Sequence, residues 1–176
     1  HLLVDGQPRL ERRRAHLVAD PDDRLALRWP RHLGPDAAAL WPGRQAGDTI
    51  VHVPREGVLF AGDVIFRDCT PMGGTGTHAG WLQALDHIIW LDPEVIVPGH
   101  GPVCGIEGAM EMRAYLEHVR EEASRCFARG LTPLQASKRI DLGPYAGWRS
   151  PARLYANVER AYRELRREPA DAPWEM

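Results

Sequence analysis

The apolar and polar positions of this chain change character along its length. Over the first 48 residues apolar side chains are scattered and broken by prolines. Only Leu25, Leu27 and Trp29 alternate as a short strand does, and Pro30 stops them. From Thr49 the pattern sharpens. Thr49-Ile-Val-His-Val53 is a β-branched run closed by Pro54, and Arg55-Glu56-Gly57 is a turn. Val58 to Ala61 and Val64 to Phe66 flank Gly62-Asp63, which predicts a hairpin whose second strand carries Asp63 near a kink. A loop with Pro71, Gly73, Gly74 and Gly76 follows, from Arg67 to Thr77.

Helical periods then take over. Trp81, Leu85, Ile88 and Ile89 share one face of a helix expected from about Ala79 to Leu91, ended by Asp92-Pro93. Val95 to Val97 reads as a short buried strand, and Pro98-Gly-His-Gly-Pro102 as a tight turn. Met112, Leu116, Val119, Ala123 and Phe127 keep a helical period from about Glu107, with Gly130 as the stop. Thr132-Pro-Leu-Gln135 fits a capping box with proline at the first helical position. A last helix starts at Ser150-Pro151 and is expected to bury Leu154, Val158, Ala161, Tyr162 and Leu165.

Composition narrows the class. The 176 residues carry a net charge of −2, so no global field recruits nucleic acid or an anionic membrane. No apolar run approaches the roughly 18 residues of a membrane span, and no signal peptide is visible. The three cysteines, Cys69, Cys104 and Cys126, lack Cys-x-x-Cys spacing, against both a disulfide scaffold and a zinc ribbon. These features suggest a cytoplasmic globular protein. His1 in place of Met suggests a processed, excised or incomplete chain. The 21 arginines against one lysine, Lys138, fit GC-rich coding more than arginine-specific chemistry, and the run Arg12-Arg13-Arg14 reads first as a solvated surface.

Asp63 and His100 are the residues most open to a chemical role. Each is read as following a strand directly, in Phe60-Ala-Gly-Asp63 and Val97-Pro-Gly-His100-Gly-Pro102. Strand ends hold the backbone fixed while leaving a side chain free to meet a ligand. A glycine beside each lets an ion approach closely. A carboxylate with an imidazole suits Zn²⁺, and also Fe or Mn. Singly, each has a plainer reading, as a turn former and a surface histidine.

With these flanks the chain resembles the metallo-β-lactamase superfamily of binuclear metallohydrolases. Gly57-Val-Leu-Phe-Ala-Gly-Asp63 is similar to the strand presenting that family's metal-bridging aspartate. The stretch from Ile88 through Asp92-Pro-Glu-Val-Ile-Val-Pro-Gly-His100-Gly-Pro102 is similar to the segment presenting its last histidine ligand. The likeness runs from about Trp41 to Val103, and the helices to about Glu168 resemble an extension found in one hydrolase-like branch.

The resemblance implies an α/β fold, part of an αβ/βα metallo-β-lactamase sandwich, followed by C-terminal helices. It divides the chain into a poorly matched arginine-rich segment (1–48), the C-terminal half of the domain (49–103), a helical extension (104–168) and a tail (169–176). It also implies two Zn²⁺ per complete site, with Asp63 bridging them, His100 on the second, and metal-bound hydroxide attacking an ester, thioester or amide-type bond of a small-molecule substrate. The loop from Cys69 to His78 would line the pocket, with Arg44, Asp48 and His78 as candidate lining. A homo-oligomer is compatible with all of this, and neither nucleic acid nor membrane is expected as a partner.

The departures from the family pattern matter as much. Its His-x-His-x-Asp-His string is absent, since His1, His16 and His32 stand apart. Its further ligand histidine falls, in gapless register with Arg44-Gln-Ala-Gly-Asp48, on Arg44, whose guanidinium has no lone pair to give. Two expectations follow: the chain turns over little with added Zn²⁺, and residues 1–40 pack less well than 49–168. The rival reading is an inert remnant or interaction protein that keeps the scaffold without a full binuclear site. His52 is read as a satisfied or solvated strand histidine, His78 as a helix-start surface residue, and His87 and His118 as structural.

Overall fold

The computed structural model describes residues 38–40, 48–74 and 76–169. The expectations for Leu25 to Trp29, for Arg44 and for the packing of residues 1–37 lie outside them.

Four strands form one sheet in the order β1 (Ala38–Leu40), β2 (Ile50–Val53), β3 (Val58–Phe66) and β4 (Val95–His100). The first two neighbours pair antiparallel, and β3 pairs parallel with β4. A parallel pair needs a crossover. Helix α1 (His78–Leu91) supplies it. Its start is fixed by Thr77, whose side chain accepts a hydrogen bond from the Gly80 amide, and its end by Asp92 in the left-handed region.

Along β3 burial alternates from Val58 to Gly62 and then becomes continuous over Val64, Ile65 and Phe66. The strand therefore leaves a half-covered sheet and enters the core. Trp81 locks this passage: its indole N–H donates to the Val64 carbonyl at 2.8 Å, and its ring meets Phe66 edge-on. Leu85 and Ile88 continue the buried stripe of α1, joined by Ala84, while Ile89 is only partly buried.

The long helix α2 (Ile106–Ala128) buries Met112, Tyr115, Leu116, Val119 and Ala123 against the same core. It overshoots the expected face by one position, because Cys126 is buried and Phe127 is 37% exposed. Phe127 instead caps the Tyr162 ring edge-on. Thr132 makes the expected capping box with Gln135, opening the short α3 (Pro133–Ser137). A 3-10 turn (Pro151–Arg153) then leads into α4 (Leu154–Leu165), which buries Leu154, Val158, Ala161 and Tyr162. Leu165 was expected inside and is 41% exposed, since the helix has by then run past the core.

Two further expectations are corrected here. The segment Pro98 to His100 was read as a tight turn, yet β4 continues through His100, because register shifts let Gly62 face Pro98 and Phe66 face His100. Asp63 likewise lies within β3 rather than after a strand. No helix of the described residues is long and apolar enough to cross a membrane.

Candidate metal centre

The parallel pair β3 and β4 builds the site. At Gly62 the backbone turns left-handed (φ 49°) and the β3–β4 register slips. A slip of this kind re-aims the next side chain. Here the next side chain is Asp63. Opposite it, Gly99 packs flat on β3: a Cβ there would stand 2.6 Å from the Gly62 carbonyl carbon and oxygen. Gly101 (φ 95°) turns the chain away beneath the Arg67 carbonyl, and the Arg67 amide donates to the His100 carbonyl at 2.8 Å. Glycines are required at both positions by close backbone approach.

The result is that His100 Nε2 lies 3.2 Å from Asp63 Oδ1. The His100 ring stacks on Phe66 with 4.5 Å between centroids and 12° between planes, which fixes its orientation. Both side chains are nearly half exposed, so their mutual attraction adds little to stability. Their spacing suits a shared ion. Two donors each about 2.1 Å from one ion at a tetrahedral angle sit about 3.4 Å apart. No group of three or more His, Cys, Asp or Glu side chains is poised for a metal among the described residues. The rest of any ligand set has to come from outside them.

Beside this edge opens a cleft of about 360 Å³. Gly99, His100 and Gly101 line it from β4, Cys69 from the loop, and Arg149, Ser150 and Arg153 from the helical extension. Of the described residues of the loop expected to line the pocket, Cys69 alone does so. His78 was read as a surface residue and is fully buried at the start of α1. Burial, with Arg120 and Arg160 adding positive charge, pulls its pKa down to about 3, so it is a neutral core imidazole away from the cleft. Asp48 is half-buried just before β2, at the sheet end where Asp63 sits, and is not part of the cleft wall. Burial pushes the Cys69 thiol up, which keeps it uncharged. His52 is buried in β2, and His118 Nε2 meets the Asp141 carbonyl at 2.7 Å.

The extension reaches the site by two devices. Arg149 and Cys69 form an isolated parallel bridge, with the Thr70 amide donating to the Arg149 carbonyl at 2.8 Å and the Arg149 amide to the Asp68 carbonyl at 3.1 Å. Three side chains at helical spacing, Arg153, Asn157 and Arg160, then donate to the Thr70, Pro71 and Gly74 carbonyls. They clamp the loop that follows Asp63. The sequence reading missed them, although Arg-x-x-x-Asn-x-x-Arg on one helix face was a legible signal.

Residues 31–100 match the sequence profile of the metallo-beta-lactamase superfamily. The metallo-β-lactamase fold is also what the solved structures share with this chain. A metallo-beta-lactamase family protein from Thermus thermophilus superposes with a TM-score of 0.58 at 22% identity, covering 74% of this chain and 44% of that one. A sec-alkylsulfatase from Pseudomonas sp., described as stereoselective and inverting, gives 0.52 at 13% identity, covering 74% and 26%. The chain thus spans less than half the length of these metallo-β-lactamase-fold relatives. No curated protein matches it.

Proposed function

We propose that this chain contributes to a metal-dependent hydrolase site of the metallo-β-lactamase type, acting on an ester, thioester or amide-type bond. The observation that carries this reading is the 3.2 Å approach of Asp63 Oδ1 and His100 Nε2, with His100 lining the adjoining cleft. Asp63 and His100 are the residues that would hold the cation. Their donor chemistry suits Zn²⁺, with Fe or Mn accepted by the same atoms. A cation bound there supplies an ionised water near neutral pH and polarises the scissile group.

The chain's own residues do the rest. Phe66 holds the His100 ring in plane, and the Arg67 amide ties down its backbone. Gly99 lets β4 close against Gly62 and Asp63, and Gly101 lets the chain pass beneath the Arg67 carbonyl. The extension walls the cleft, so a substrate seated there lies against His100 on one side and residues 149–153 on the other.

Metal analysis of the purified chain tests the reading. Binding of about two equivalents of Zn²⁺ per chain, removed by chelator and restored by Zn²⁺, supports it. No metal above background overturns it in favour of the inert scaffold.

A further inference from the structure

The cleft beside His100 carries positive charge that no carboxylate among the described residues pairs with. Arg67, Arg113, Arg125, Arg163 and Arg166 each pair with a carboxylate. Arg149 and Arg153 pair with none among the described residues, and both line the cleft. No carboxylate among the described residues shares that lining. Both arginines bear electrostatically on the Cys69 thiol in the same wall, which places their charges together. Asp68, on the same loop, opposes them there but is 58% exposed and turned toward Arg67 Nε at 4.0 Å.

Neither arginine is loosely placed. Arg149 is fixed by its backbone bridge to Cys69, and its neighbour Trp148 is buried and stacked on Tyr115 with 5.0 Å between centroids. Arg153 spends one N–H on the Thr70 carbonyl at 3.4 Å, which leaves most of its five donors for another acceptor. Paired guanidinium groups in a concave site bind carboxylate, phosphate or sulfate groups through charge-assisted, often bidentate hydrogen bonds.

We propose that Arg149 and Arg153 form an oxyanion-group recognition site, which seats the anionic end of the substrate while its scissile bond lies at Asp63 and His100. This rests on the hydrolase reading for its place in a reaction, but anion binding itself does not require the metal. The substrate class is therefore an ester, thioester or amide bearing a carboxylate, phosphate or sulfate a short distance from the bond that is cut.

The test is calorimetric titration of the chain in excess chelator with inorganic phosphate, sulfate and acetate, each at low ionic strength. The same titrations are run on Arg149→Ala, Arg153→Ala, Arg149→Lys and a remote control, Arg139→Ala, with circular dichroism to verify folding. At least one anion is expected to bind, weakening by about tenfold in either alanine variant and little in the control. The lysine variant should retain part of the affinity, and added salt should weaken binding. The anion bound most tightly names the group. No binding by the folded chain, or equal binding by all variants, overturns the proposal. Loss of metal binding with anion binding intact counts against the hydrolase reading alone.

Discussion

Gly99 and Asp63 are in contact across the β3–β4 pair: a Cβ on Gly99 would stand 2.9 Å from Asp63 Oδ1 as well as 2.6 Å from the Gly62 carbonyl. The backbone of one strand is thus the wall against which the carboxylate of the other rests. Gly99→Ala should separate the strands and destabilise the fold by about 1–3 kcal/mol, the usual cost of an extra carbon in a packed place. It should also weaken metal binding more than an equally destabilising change elsewhere. Urea denaturation and Zn²⁺ titration of the same variant check both parts, and an unshifted midpoint would refute the contact.

Asn157 links the extension to the loop after Asp63. Its amide donates to the Pro71 carbonyl and to the Tyr115 hydroxyl, both at 3.0 Å, with the residue fully buried. Asn157→Ala leaves two buried acceptors without that donor and should cost about 1–3 kcal/mol. Protection of the loop amides in hydrogen exchange should fall further than protection in β2. Uniform loss across the sheet would mean that Asn157 stabilises the fold without clamping the loop.

Much of this arrangement was legible in the sequence, and its limits have physical causes. The hairpin, α1 and the capping box at Thr132 follow from local periodicity and turn chemistry, which act over a few residues. The pairing of Asp63 with His100 was readable because glycine flanks both and a resemblance ordered them. The path of Pro98 to His100 was not, because a strand that lives on slipped parallel register depends on its neighbour's bulge at Gly62. His78 was misplaced because nothing near it in sequence says that the extension will cover it. Arg149 gave no signal in a chain with 21 arginines, since its bridge to Cys69 is long-range, while Arg153 could be singled out only through its helical spacing to Asn157 and Arg160.

His78 gives the fold a pH dependence with a defined sign. Its folded pKa is about 3 against 6.5 for the free side chain, so between these values the unfolded chain binds the proton and the folded one does not. Stability is therefore intact above about pH 6.5 and falls as the pH drops toward 3, with a limiting slope of about 1.4 kcal/mol per unit from this one group. Replacing His78 by Gln removes a titrating group from the pocket formed near Arg120 and Arg160. Urea unfolding at pH 7.5 and pH 5 should show a smaller stability difference in His78→Gln than in the parent. An identical difference would place His78 in solvent.

The most direct measurement is competition for Zn²⁺ between a chromophoric chelator and the full 176-residue chain, repeated with Asp63→Ala and His100→Ala. Both side chains are nearly half exposed, so either truncation should leave the fold standing and remove one donor. With two donors among the described residues, the parent chain is expected to withdraw Zn²⁺ from a chelator of low affinity, and each variant to bind at least about tenfold more weakly, no less than the loss seen when a mere supporting residue of a metal site is removed. A parent that withdraws no Zn²⁺, or variants that bind as tightly as the parent, would contradict the assignment of Asp63 and His100 as metal ligands.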